Sequence, residues 1–320
     1  MTTVGHGTWW AETTKARHPE GQRVILAVVV AALIVWNLYW FGQIVEWVGL
    51  GLHENDWYWF TTLDPARAYE TWFKWPPPMA YVIHGIAVAV PFGLWVLLHL
   101  TALLTIRDRR VVLLALVTFP FWMDVVEGNV LTFVFVAAWW ALAGNRWGVV
   151  LFCVLAALIP RPLMVPVLAW LLWHRVDARW AFGVSAATVV AIALATGVLG
   201  PWLHLLVSAS TSEMTQSWNV GPSAIIGAVW VPIGLVAGAI LTWKGRLGLA
   251  SLAVSPYVIH YYVIFALLPD QPVEQDRVAV KAGRREGLDA GQAPAQPTGI
   301  DDSPDGLVVG DGVAVRVALR

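Results

Sequence analysis

Apolar residues run through most of this chain in long blocks, broken by short polar connections and, after position 269, by a polar stretch with no further apolar block. The blocks fall roughly at 24–49, 79–106, 111–123, 130–143, 147–159, 162–173, 180–201, 223–243 and 247–268. Blocks of this kind predict helices that bury their backbone polar groups internally, as a bilayer demands. The expectation is an all-α polytopic bundle of about nine membrane segments. It divides into a cytoplasmic N-terminal segment 1–23, a membrane domain 24–269 and a disordered polar tail 270–320.

Four blocks between 111 and 173 hold only about 12 to 14 apolar residues, which at 1.5 Å per residue cover about 20 Å of a 30 Å hydrocarbon core. They need polar extensions or shielding inside the bundle, and this stretch is expected to line a cavity. The connection at 51–78 is the longest outside the tail. Within it, Asp64 suits an N-cap and Pro65 a first helical position, so an amphipathic surface helix is predicted. Tyr69, Trp72 and Phe73 would share one face and Arg67, Glu70 and Lys74 another, until Pro76, Pro77 and Pro78 end it.

Composition supports a membrane protein. Of 320 residues 58% are hydrophobic and 13% charged, and the net charge of −1 offers no basic excess for nucleic acid. The 21 tryptophans suit bilayer interfaces, and the single cysteine, Cys153, permits no internal disulfide. Nine spans with a cytoplasmic N-terminus place eleven of the 20 basic residues inside and three outside, with six in the tail. Acidic residues then collect outside, where the chemistry is sought.

Four groups on that face carry candidate chemistry. Asp56 lies among Trp57, Tyr58, Trp59 and Phe60, whose rings can desolvate a carboxylate and raise its pKa toward that of a working base; a solvated loop acid is the alternative. Asp124, Glu127 and Asn129 sit at a helix boundary, either as turn residues or as acceptors for sugar-like hydroxyls. Arg161, between Pro160 and Pro162, needs an anion: Asp124 or Glu127 as a structural pair, or a phosphate. His260, with Tyr261 and Tyr262 after Pro256, is expected to face the cavity, while His84 and His99 are packing residues. GPSAIIG from Gly221 suggests a re-entrant approach, with Trp218 and Asn219 just before it. HExxH, Cys/His clusters, phosphate loops, GxSxG and Asp-x-Asp are all absent from the sequence.

Taken in order, Asp56 with its aromatics, FKWPPP from Phe73, EGNV from Glu127, LIPRP from Leu158, NVGPS from Asn219 and SPYVIHYY from Ser255 resemble glycosyltransferase family 87 over residues 50–270. The resemblance implies a GT-C type membrane enzyme that moves a hexose, with mannose the expected sugar. The donor would be a polyprenyl phosphate and the acceptor a lipid or glycan, on the extracytoplasmic face of the plasma membrane. No metal or other cofactor is implied. Asp56 would be the general base of an inverting transfer. Arg161, His260, Glu127, Asn129, Lys74 and Tyr58 would bind substrate, with Arg161 standing where the family usually has Lys before Pro. EGN replaces the usual Gly-Gln-x-Asn, and family members generally continue with further membrane helices where this chain has its polar tail. An inactive or partner-dependent scaffold is the main rival reading, and a lipid or solute transporter the lesser one.

Overall fold

A computed structural model describes residues 20–49, 55–70, 73–214, 216 and 219–271 of the chain. The expected tail beyond Gln271, most of the N-terminal segment and Trp218 lie outside the described residues. Among the described residues every regular element is helical, and the one β feature is an isolated bridge between Asn219 and Ile259. The all-α expectation therefore holds.

The expected nine spans do not. By length and composition, three described helices can cross a membrane, or four if one bent pair counts as a single span. The three are α1 (Glu20–Gly49), a later helix over Val176–Ala195, and the run Ser223–Trp243. The expected block at 79–106 divides into α3 (Pro77–Ala89) and α4 (Phe92–Leu104), bent by 111°. Pro91 stands at the break: it cannot donate a helical hydrogen bond, and it drives Val90 into extended backbone, at φ −108° and ψ 117°.

The block at 111–123 divides in the same way, into α5 (Arg109–Val117) and α6 (Phe119–Val126), with Thr118 extended ahead of Pro120. Asn37 of α1 repairs the break, donating to the Val117 carbonyl at 3.0 Å and accepting from the Phe119 N–H at 2.9 Å. A polar side chain on an otherwise lipid-like helix thus satisfies backbone groups that the break would leave bare. The final block divides at Ser255 and Pro256, giving a short helix over Leu247–Val254 and a 3-10 helix over His260–Leu267.

α7 (Leu131–Leu142) is apolar on all sides and lies inside the protein, with Leu131, Val134, Phe135 and Ala138 buried. A 12-residue helix is about 18 Å long, so protein must cover what lipid cannot. Asn145 turns the chain by accepting from the Trp147 and Gly148 N–H groups at the start of α8 (Arg146–Leu158). A 3-10 turn (Pro162–Met164) then leads into α9 (Val165–His174), and α10 (Val176–Ala195) packs back along α8, where Cys153 Sγ approaches the Ala178 carbonyl at 3.7 Å. By contrast, α1 and α10 expose Val28, Leu33, Val35, Val184 and Leu194, the pattern of helices facing lipid.

The expected amphipathic helix in the first outer loop is shorter than its pattern suggested. Asp64 does cap it, accepting from the Ala66 N–H at 3.0 Å, but the element is a six-residue 3-10 helix (Pro65–Glu70) interrupted at Arg67. Phe73 and Lys74 lie beyond it, and Trp72 is outside the described residues. A separate helix, α2 (Asp56–Thr62), precedes it, burying Trp57 and Phe60 and exposing Tyr58 and Trp59.

Candidate functional site

Two chain segments far apart in sequence form the centre of the site. Asn55 caps α2 by accepting from the Tyr58 N–H at 2.9 Å, and its amide donates to the Val126 carbonyl at 3.0 Å. Next to it the Trp57 N–H donates to the Glu127 carbonyl at 3.2 Å. Asp56 is therefore the first residue of a helix pinned to the turn Glu127–Gly128–Asn129, and not a free loop acid. Gly128 makes the approach feasible. Its φ of +70° is left-handed, and a side chain there would run into Trp57.

Asp124 organises the far side of that turn. Its carboxylate accepts from the Leu131 N–H at 3.2 Å and from the Thr132 N–H and hydroxyl at 2.7 and 2.6 Å, which caps α7. His99 faces it, with Nε2 3.5 Å from Asp124 Oδ2 and 2.9 Å from the Asn129 carbonyl. His99 thus braces the turn as well as filling space, which is more than the packing role expected of it. Asn129 is buried, and both hydrogens of its amide are engaged: one with Asp56 Oδ2 at 2.7 Å, one with the Tyr261 hydroxyl at 3.0 Å.

Burial pushes the Asp56 carboxyl up to about 6, against the opposing pull of the Arg161 guanidinium and the Asn129 hydrogen bond. Glu127 is held well above the usual carboxylate range by burial and by the neighbouring charges of Asp56 and Asp124. Burial and the nearby Arg161 charge draw the Lys74 ammonium down to about 8. Asp56, Glu127 and Lys74, all half-buried, therefore each feel the Arg161 charge, and Glu127 and Lys74 each feel that of Asp56.

Arg161 has neither of its expected protein carboxylates. No Asp or Glu oxygen lies within 4.0 Å of it among the described residues, where Asp124 is committed to α7 and His99. Its guanidinium donates to the Tyr262 hydroxyl and lies 5.3 Å from the Tyr262 ring centroid and 5.8 Å from that of Trp75. Aromatic faces and a phenol oxygen support the cation without neutralising it.

The other expected site residues divide. Glu127 and Lys74 join the cluster. Asn129, expected to bind substrate, joins it from within, its amide hydrogens bonded to Asp56 and Tyr261. Tyr58 is 42% exposed at the surface of α2, its ring against Trp59. His260 lies apart from the hydrogen-bonded groups around Asp56. Its ring is buried 3.7 Å from the Trp40 ring centroid and 6.4 Å from that of Phe119, with no hydrogen bond to either nitrogen among the described residues. Tyr261, the next residue, points instead to Asn129. The sequence groups Tyr261 and Tyr262 with His260 as polar residues of one turn, but it does not show that Tyr261 meets Asn129 and Tyr262 meets Arg161.

The NVGPS and SPYV motifs meet at Asn219, and Tyr257 of the second has its ring centroid 6.0 Å from that of Tyr262, the phenol that Arg161 contacts. Asn219 accepts from the Gly221 and Val258 N–H groups at 3.0 Å each and donates to Ser223 Oγ and the Met214 carbonyl at 2.9 Å each. It thereby ties the approach to the short helix Ser223–Ile226 to the strand-like turn ahead of His260. No family model matches the chain, and neither a curated protein nor a solved structure matches it.

Proposed function

We propose that the protein is a membrane glycosyltransferase. It moves a hexose, with mannose the first candidate, from a polyprenyl-phosphate donor to a hydroxyl of a lipid or glycan acceptor on the extracytoplasmic face of the plasma membrane. One observation carries this reading: a half-buried carboxylate, Asp56, shares a cluster with Arg161, a cation with no carboxylate oxygen within 4.0 Å among the described residues. A base and an unneutralised cation are what an acceptor hydroxyl and a departing phosphate require. The proposal needs this cluster and not a nine-span GT-C bundle.

Asp56 takes the proton of the acceptor hydroxyl while that oxygen bonds to the anomeric carbon. The bond from that carbon to the phosphate oxygen breaks on the opposite face, so the sugar configuration inverts. The electron pair leaves with polyprenyl phosphate, whose added negative charge Arg161 and protonated Lys74 offset. Glu127, whose carboxyl burial and the nearby Asp56 and Asp124 charges raise above the usual carboxylate range, hydrogen-bonds a sugar hydroxyl. A lipid-borne donor fits an outward-facing site, because nucleotide sugars are cytoplasmic and a lipid phosphate sits at headgroup depth.

The test is transfer of labelled mannose from polyprenyl phosphate to candidate lipid acceptors by the purified full chain in detergent. Asp56→Asn is expected to lower turnover by about 10² to 10⁴-fold with an unchanged melting temperature. Turnover close to the parent's would remove Asp56 from the mechanism. Passage of lipid across proteoliposomes without sugar transfer would instead favour the transporter, and neither activity would favour the scaffold.

A further inference from the structure

We infer that Asn129 is a positioning residue: its amide clamps Oδ2 of Asp56 to the Tyr261 hydroxyl and so presents Oδ1 to the incoming acceptor. The inference deepens the transferase reading and rests on it for the identity of the acceptor.

The geometry is a chain of committed groups. Asn129 Nδ2 has two hydrogens, and Asp56 Oδ2 and Tyr261 Oη take both, at 2.7 and 3.0 Å. Its Oδ1 accepts from the Val130 N–H at 2.8 Å, its backbone carbonyl faces His99 Nε2 at 2.9 Å, and its N–H donates to the Asp124 carbonyl at 3.0 Å. A side chain so bound, at 1% exposure, cannot turn to greet a sugar. It can fix the rotation of the carboxylate it holds.

Asp56 shows the complement. Oδ2 is held, and no hydrogen bond to Oδ1 exists among the described residues. A base needs one oxygen anchored and the other open, because a carboxylate free to rotate spends its time in unreactive geometries. Tyr261 adds to the arrangement. Its oxygen accepts from Asn129, which leaves its own proton able to reach a second acceptor, and its place in the last helical segment links that segment to α2 through Asn129.

Two readouts separate positioning from mere support. The first is the titration of Asp56, followed by pH-dependent carbodiimide labelling of its peptide in the full chain and quantified by mass spectrometry. The second is the split between kcat and KM in mannose transfer. Removing a donor from a carboxylate disfavours its charged form, so Asn129→Ala is expected to move the Asp56 midpoint upward by about one pH unit. The acid limb of the rate profile should move with it, with kcat down about 10 to 100-fold and KM nearly unchanged.

An unmoved midpoint, or a rise confined to KM, overturns the inference. Should Asn129→Ala not fold, Tyr261→Phe decides the matter. It deprives the amide of its second acceptor while leaving Asp56 and Asn129 in place, and it should shift the midpoint and lower kcat in the same sense; no change in either overturns the clamp. Labelling needs no sugar transfer. A shifted midpoint in a protein that transfers nothing keeps the clamp and discards the transferase, and an active parent with unshifted variants does the reverse.

Discussion

Arg161 and Arg175 stand at the two ends of one helical segment, Pro162–His174, and live in opposite electrostatic conditions. Arg175, after the segment, pairs in a fork with Asp177 two residues on, through Nε at 3.0 Å and a terminal nitrogen at 2.7 Å. Local sequence satisfies it, and water reaches both partners, with side chains 30% and 35% exposed. Arg161, before the segment, has carboxylates in its neighbourhood but none in contact, and rests on phenol and indole faces. A charge neutralised by its own loop has nothing left to offer a ligand. A half-buried charge left open costs stability, and that cost makes sense where an anion arrives from outside.

The largest expected effect breaks this comparison at its open end. Arg161→Gln removes the cation while keeping a polar side chain, and it should weaken binding of polyprenyl phosphate, followed by quenching of tryptophan fluorescence, by about 10 to 100-fold. Stability should change little or rise, because no carboxylate among the described residues loses an ion-pair contact. A large fall in melting temperature with unaltered phosphate binding would mean that Arg161 serves the fold, as Arg175 does.

A second effect sharpens the comparison through pH. Transfer needs Asp56 ionised and Lys74 charged. The folded carboxyl is raised to about 6, so the base is lost as pH falls below that value; the ammonium is lowered to about 8, so the cation is lost above it. The rate should peak between these limits and fall about tenfold per pH unit beyond either. Lys74→Arg, which stays charged, should extend the alkaline limb. A profile flat from pH 5 to about 9 would separate both groups from the reaction.

Much of this site could be read from the sequence, and the parts that could not share a cause. Asp56 and Arg161 announced themselves because a carboxylate among four aromatics and an arginine between two prolines are costly unless used. Local caps were legible for the same reason: Asp64 before Pro65 is a turn of chemistry visible in two residues. The span count failed at Pro91, Pro120 and Pro256. Hydropathy adds apolar residues across a proline without registering that the helix ends there. The contacts of His260 and Tyr261 were hidden for another reason. In a 3-10 helix, successive side chains lie a third of a turn apart, so neighbouring residues face different partners, and no pattern in SPYVIHYY tells which of the two meets Asn129. The bonds of Asn129 could not be read from its neighbours, because its partners are 73 and 132 residues away.

The smallest expected effect lies at the closed end of the segment. The Arg175–Asp177 pair has good fork geometry, yet both side chains are about one-third exposed, and water and salt screen most of their attraction. Arg175→Ala should therefore change stability by no more than about 1 kcal/mol and leave polyprenyl-phosphate binding untouched, as measured by detergent melts at low and high salt. The difference between variant and parent should shrink as salt rises. A loss of phosphate binding in Arg175→Ala would place a second anion contact at the opposite end of the segment, and the contrast between a satisfied and an open arginine would no longer locate the site.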